Sequence, residues 1–112
     1  IADSSMELYQ CKLMVLHAAY KIENGQSFTS EVSMAKHFVA NSLWRIIDRA
    51  IQVHGALGYS TDTPLAHMLQ QARWSRFADG ADEIHQMRIA QRTIAAYKDH
   101  GSTKSATGDL PL

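Results

Sequence analysis

The sequence predicts an all-α fold, an up-and-down helical bundle, on three observations. Apolar residues recur at spacings of three and four through four separate stretches, no stretch alternates as a strand would, and glycine, asparagine or proline stands at the junctions. With 112 residues the chain is one domain by length. A domain of this size buries only about two thirds of its unfolded surface, so a covering partner would help it.

The first helix is expected from about Met6 to Glu23. Ser4-x-x-Glu7 fits a capping box ahead of it, in which two side chains would satisfy free N–H groups of the first turn. Met6, Tyr9, Leu13, Leu16 and Tyr20 form one apolar stripe, and Leu8, Cys11, Val15, Ala19 and Ile22 form a second. A helix on the outside of a monomer needs only one, so this helix is expected to be covered on two sides. Asn24-Gly25 ends it. Thr29 or Ser30 can cap a second helix, in which Ala35, Val39, Leu43, Ile46, Ala50 and Val53 recur until Gly55. That helix holds about 25 residues, nearly 40 Å, a length that suits a bundle.

The stretch "HGALGYSTDTP", with two glycines and a proline, is read as a loop. Asp62 or Thr63 can then cap a short third helix, roughly Pro64 to Arg76, with the proline at its first position. A fourth helix follows Gly80, with Ile84, Met87, Gln91 and Ile94 near one face, and runs to about Lys98 before Gly101. Residues 1–100 are thus read as the helical domain and 101–112, "GSTKSATGDLPL", as a loose tail.

Bulk properties narrow the function classes. Eleven acids balance eleven bases, which gives no charge bias toward nucleic acid or an anionic membrane. No apolar run approaches the roughly 20 residues that span a bilayer. Cys11 is the single cysteine, without a companion for a disulfide or a CxxC pattern, and reads as a small buried hydrophobe. The expected location is intracellular: cytoplasmic, or the mitochondrial matrix in a eukaryote. The chain begins at Ile1, close to a helical pattern, which suggests a piece of a longer protein. No metal site is expected, because HExxH is absent and the acids near His85 would fan around a helix axis. No GxSxG or Cys–His arrangement nominates a nucleophile. "RWSRF" reads as a solvated face with core aromatics.

Two stretches could carry chemistry. In "QVHGALGYS", glycines would let backbone N–H groups approach a phosphate, although a helix C-terminus has the wrong dipole for an anion. In "FADGADEIHQ", Asp79, Asp82 and Glu83 stand where a helix begins, and acids are favoured there by free N–H groups. Local chemistry alone favours helix termination in the first and capping by Asp79 or Asp82 in the second.

From Ala50 to Tyr97 the two stretches together resemble the C-terminal helical domain of the acyl-CoA dehydrogenase family. Its members read A-x-Q-x-x-G-G-x-G-Y, then a short helix after a proline, then Y-E-G-T-x-E-I-Q; this chain reads "AIQVHGALGYSTDTP" and later "ADGADEIH". The resemblance implies dehydrogenation of the α–β bond of an acyl-CoA thioester, a carboxylate taking the α-proton while FAD receives the β-hydride. An α-C–H beside a thioester is too weak an acid for water at neutral pH, so a desolvated carboxylate and a polarised carbonyl are required.

The family's catalytic glutamate falls on Asp79, and a branch that reads A-D-G-P-D-E-V-H is similar to the text here. Asp79 is therefore the implied base, one methylene shorter than usual. Gln52 and Gly55 match positions that, in the family, approach the FAD pyrophosphate held by a neighbouring subunit, with Ala56 in place of the second glycine. Gly80 matches the glycine of the second motif, and Ala81 replaces its threonine. Gln52, Gly55, Ala56, Gly80 and Ala81 are the implied cofactor contacts, and Gln70-Gln71 stands where the family carries Arg-Asp. The resemblance further implies a homo-oligomer, dimer or tetramer, an acyl-CoA substrate and an electron acceptor. Most of the pocket comes from domains other than this one, so the chain alone is expected to have little activity and not to retain flavin. The competing expectations are a non-catalytic helical oligomerisation module and, third, an unrelated helical binding domain.

Overall fold

A computed structural model describes residues 1–107. Its elements are α1 (Ala2–Glu23), α2 (Thr29–His54), α3 (Ala56–Tyr59), α4 (Leu65–Ser75), α5 (Asp82–His100) and α6 (Lys104–Thr107). Among the described residues there is no strand, and the four expected helices are α1, α2, α4 and α5. The expected loop "HGALGYSTDTP" contains α3, a single turn that folds back on the end of α2. A Cβ at Gly58 would stand 2.9 Å from the Ile51 carbonyl oxygen, so only glycine permits that close approach. After Gly101, which closes α5 in the left-handed conformation, α6 forms one further turn against α5 and α2, with Ala106 buried. The remaining residues of the expected tail, 108–112, lie outside those described.

Helix α2 is the spine. α3, α4, α5 and α6 pack on it, and among the described residues α1 packs on α2 alone. The face that α1 turns to α2 carries Ser4, Glu7, Cys11, Met14, Ala18 and Lys21, a helical stripe of small and polar residues. Charge joins the seam: Glu7 takes hydrogen bonds from Arg45 (Nε, 2.6 Å) and Arg49, and Lys21 pairs with Glu31, which is 3% exposed. Apart from the buried Cys11, both apolar stripes of α1 therefore point away from α2. Met6, Leu8, Tyr9, Leu13, Val15, Leu16, Tyr20 and Ile22 are each 47–64% exposed. In α5 the same inversion holds, since Ile84, Met87 and Ile94 are exposed while His85 and Ala96 face inward.

The shape follows from this. The chain measures 54 × 27 × 23 Å with a radius of gyration of 16.8 Å, against about 13 Å for a compact domain of this length. Its accessible surface is 7,799 Å², against about 6,200 Å² for a compact monomer of this mass. The exposed apolar residues of α1 and α5 contribute to this excess.

The expected caps did not form. Ser4 and Glu7 do not close a capping box, and Ile1 is the N-cap of α1. Ser4 Oγ instead accepts from Arg49 (3.1 Å), and Glu7 is taken by both arginines of α2. Phe28, not Thr29 or Ser30, precedes α2, and Ser30 Oγ accepts from Arg92 of α5 (3.0 Å). Pro64, not Asp62 or Thr63, precedes α4. Neither Asp79 nor Asp82 caps α5; Ala81 stands at the N-cap with extended backbone and no side-chain bond. Four of these eight polar side chains, Ser4, Glu7, Ser30 and Asp82, pair with an arginine instead, and a charge-assisted bond is roughly twice as strong as a neutral one.

Candidate functional site

Asp79 sits at the tip of the α4–α5 turn with φ 53, the non-glycine residue with positive φ among those described. Gly80 follows at φ 106. A left-handed aspartate is uncommon and marks a turn fixed by its surroundings. The Asp79 carboxylate is exposed and has no hydrogen-bond or ion-pair partner among the described residues, so it is free to act outward.

The turn is fixed at its neck. The Asp82 N–H donates to the Arg76 carbonyl (3.0 Å), and Arg76 Nε donates to Asp82 Oδ2 (2.7 Å). Asp82 is 4% exposed; Asn41 Nδ2 donates to the same carboxylate oxygen (3.0 Å), and His37 Nδ1 lies 3.3 Å from the other. Burial raises the Asp82 pKa, but the hydrogen bonds from Arg76, Asn41 and His37, with the Arg76 charge, outweigh it and hold the group below the ordinary aspartate value. From α2, Lys36 Nζ donates to the carbonyls of Ser75 (2.8 Å) and Gly80 (2.7 Å).

His85 forms the floor. It is 5% exposed, neither ring nitrogen has a well-aligned hydrogen bond, and a Cβ on Gly80 would meet Nε2 at 3.0 Å. Burial lowers its pKa first, then the charges of Lys36 and Arg88; the facing Asp79 backbone offsets part of this and His37 adds to it. The buried ring is held toward its neutral form.

Gln52, Gly55 and Ala56 lie together elsewhere, at the exposed end of α2. Gly55 has φ 60 and nothing within 4 Å of the position its Cβ would take, and Gln52 has no side-chain partner among the described residues. A backbone with open space beside it and a free amide donor fit the close approach of a phosphate. Gly80 and Ala81 are half-buried in the other turn. Lys36 and Gln52 stand 16 positions apart on α2, so the two turns are about 24 Å apart along that helix. The candidate base and the Gln52–Ala56 contacts do not converge within one chain. An open groove between α1 and Arg49, lined by Asp3, Met6, Glu7 and Gln10, contains none of these residues.

Sequence reasoning missed Lys36, His37, Asn41 and Arg76, and gave Asp82 a capping role it does not have. The partners of the three α2 residues lie 39 to 45 positions away, so no local spacing could have announced them.

Fold and site together define an all-α domain that presents one carboxylate turn, one open glycine turn and a large uncovered apolar surface. Residues 1–94 match the family described as acyl-CoA dehydrogenase, C-terminal domain, and the chain belongs to that family. It is 43% identical over 96 residues to acyl-CoA dehydrogenase family member 10 of Mus musculus, covering 84% of this chain and 9% of that protein. It is 35% identical over 94 residues to 3-(aryl)acrylate reductase of Clostridium sporogenes, covering 84% of this chain and 25% of that protein. Among solved structures, a putative acyl-CoA dehydrogenase from Mycobacterium abscessus superimposes with a TM-score of 0.83 at 40% identity, over 86% of this chain and 24% of that one. The chain thus spans a quarter or less of the length of these relatives. Among the described residues no helix is long and apolar enough to cross a membrane.

Proposed function

We propose that this chain is the C-terminal domain of an FAD-dependent acyl-CoA dehydrogenase and that Asp79 is the base that removes the substrate α-proton. The observation that carries the reading is the Asp79 turn: a left-handed aspartate with a free carboxylate, clamped at its neck, where the motif resemblance implies the family's glutamate.

Asp79 takes the proton from the carbon next to the thioester carbonyl. Bound flavin would supply the acceptor for the hydride that leaves the β-carbon. The turn holds Asp79 at a fixed height above α5, which matters because a misplacement of about 1 Å can cost around a hundredfold in rate. Desolvation of the carboxylate comes from the substrate and the domains that cover the turn. Gln52, Gly55 and Ala56 offer an amide and approachable backbone to the cofactor, and Gly80 and Ala81 border the base. The 24 Å between the turns fits a cofactor contact made toward a neighbouring copy, as does the apolar surface of α1 and α5, so the working enzyme is read as a homo-oligomer. The domain alone has little activity and does not hold flavin.

In an enzyme carrying this segment, Asp79→Asn is expected to lower turnover of acyl-CoA by about 10³-fold, within the range of general-base contributions, with bound flavin unchanged. Turnover retained within tenfold would move the base elsewhere. The uncovered apolar faces also favour a second reading, a helical oligomerisation module that kept the fold without the chemistry. Co-expression with an FAD-binding domain separates the two: a yellow complex supports the enzyme, and a colourless oligomer supports the module.

A further inference from the structure

Lys36 is the one side chain of α2 that reaches both ends of the Asp79 turn. Its ammonium donates to Ser75 O at 2.8 Å, where α4 ends, and to Gly80 O at 2.7 Å, the residue after Asp79. It has no carboxylate partner among the described residues. A half-buried cation spent wholly on two backbone carbonyls of one loop is not a surface charge, since an ammonium left to itself would stay in water.

The two acceptors are five residues apart in sequence, so one cation fixes the width of the loop's neck. The opposite side of that neck is closed by the Asp82 N–H on the Arg76 carbonyl, and His85 fills the space beneath Gly80. Between these points Asp79 takes the left-handed region. If Lys36 is removed, the Gly80 and Ser75 carbonyls lose this donor, and water or a shifted loop must replace it.

We infer that Lys36 is a positioning residue for the proton-transfer step: it holds the Asp79 turn at the height and angle at which the carboxylate meets the substrate. The inference rests on the reading of Asp79 as the base. Lys36 does not touch substrate in this account; it acts through the backbone of Gly80.

The test uses the whole enzyme that carries this segment, with Asp79→Asn, Lys36→Met and Lys36→Gln compared for kcat per bound flavin, KM and flavin content. With Asp79→Asn inactive, Lys36→Met is expected to lower kcat about a hundredfold, the scale of an ångström-sized misplacement, with KM within twofold and flavin content unchanged. A role in stability alone would lower the yield of folded, flavin-loaded enzyme and leave kcat per flavin intact. Lys36→Gln keeps bulk and one short donor and is read if Lys36→Met does not fold; a loss in kcat of at least fivefold is expected. Should Asp79→Asn be inactive while kcat per flavin in the folded Lys36 variant stays within twofold of wild type, the positioning role is overturned and the base reading stands. An active Asp79→Asn overturns both.

Discussion

The two glycine turns of this domain are built in opposite ways. At Gly55 the chain leaves α2 with positive φ and nothing beside it: Gln52, Gly55 and Ala56 are exposed, and a Cβ would meet no atom within 4 Å. At Gly80 the chain enters α5 with positive φ and is held on every side, by Lys36, by the Arg76–Asp82 pair and by the buried ring of His85. One turn is left open; the other is held from within. A base must be held to a fraction of an ångström, whereas a backbone that approaches a phosphate needs room first.

Substitutions that exchange the properties of the two turns break this comparison. Gly80→Ala carries the largest expected effect, because it adds a strained φ and a 3.0 Å contact with the buried ring of His85. A loss of about 2–3 kcal/mol is expected in urea unfolding. Asp82→Ala removes the acceptor of Arg76 and Asn41 at the neck and should cost about 1–2 kcal/mol, since Arg76 is a third exposed and can return to water. Gly55→Ala meets no atom and bears only the backbone strain, about 1 kcal/mol. In the whole enzyme it should weaken flavin retention more than Gly80→Ala does; equal retention in both would remove the distinction between the turns.

The smallest expected effect is in pH. The folded pKa of His85 lies below the ordinary 6.5, so the unfolded chain binds this proton first. Stability contributed here is fully present above about pH 6.5 and falls as pH drops toward the lowered folded value. Glu7 joins α1 to α2, and its pKa is lowered too: burial raises it, but the hydrogen bonds and charges of Arg45 and Arg49 prevail. Its contribution is lost only as pH falls below about 4.5. The seat of Asp79 should therefore loosen at milder acidity than the α1–α2 seam. Urea midpoints at pH 7.5 and 5.5 measure this, and His85→Gln should flatten the difference; an unchanged slope would place the proton uptake on another group.

The sequence made the helices legible because period and punctuation are local. Asn24-Gly25, Gly55 and Gly101 end their helices where the pattern stops. Direction was not legible in the same way. The stripes Met6–Tyr20 and Ile84–Ile94 announce an apolar face but not its neighbour, and α2 takes the opposite, polar face of α1 through Glu7 and Lys21. Some caps failed for a related reason: Ser4, Glu7 and Ser30 have charged partners on distant helices, and no local motif shows that a remote arginine competes. The candidate site divided along the same line. Asp79 and Gln52–Gly55 sit in motifs of fixed spacing and could be found; Lys36, Asn41 and His37 reach the site only through packing.

A single-turnover measurement on the whole enzyme addresses the central claim most directly, by following the bleaching of bound flavin after mixing with acyl-CoA. For Asp79→Asn, with flavin content equal to wild type, the account predicts bleaching slower by about 10³-fold. Bleaching within tenfold of the wild-type rate would contradict it.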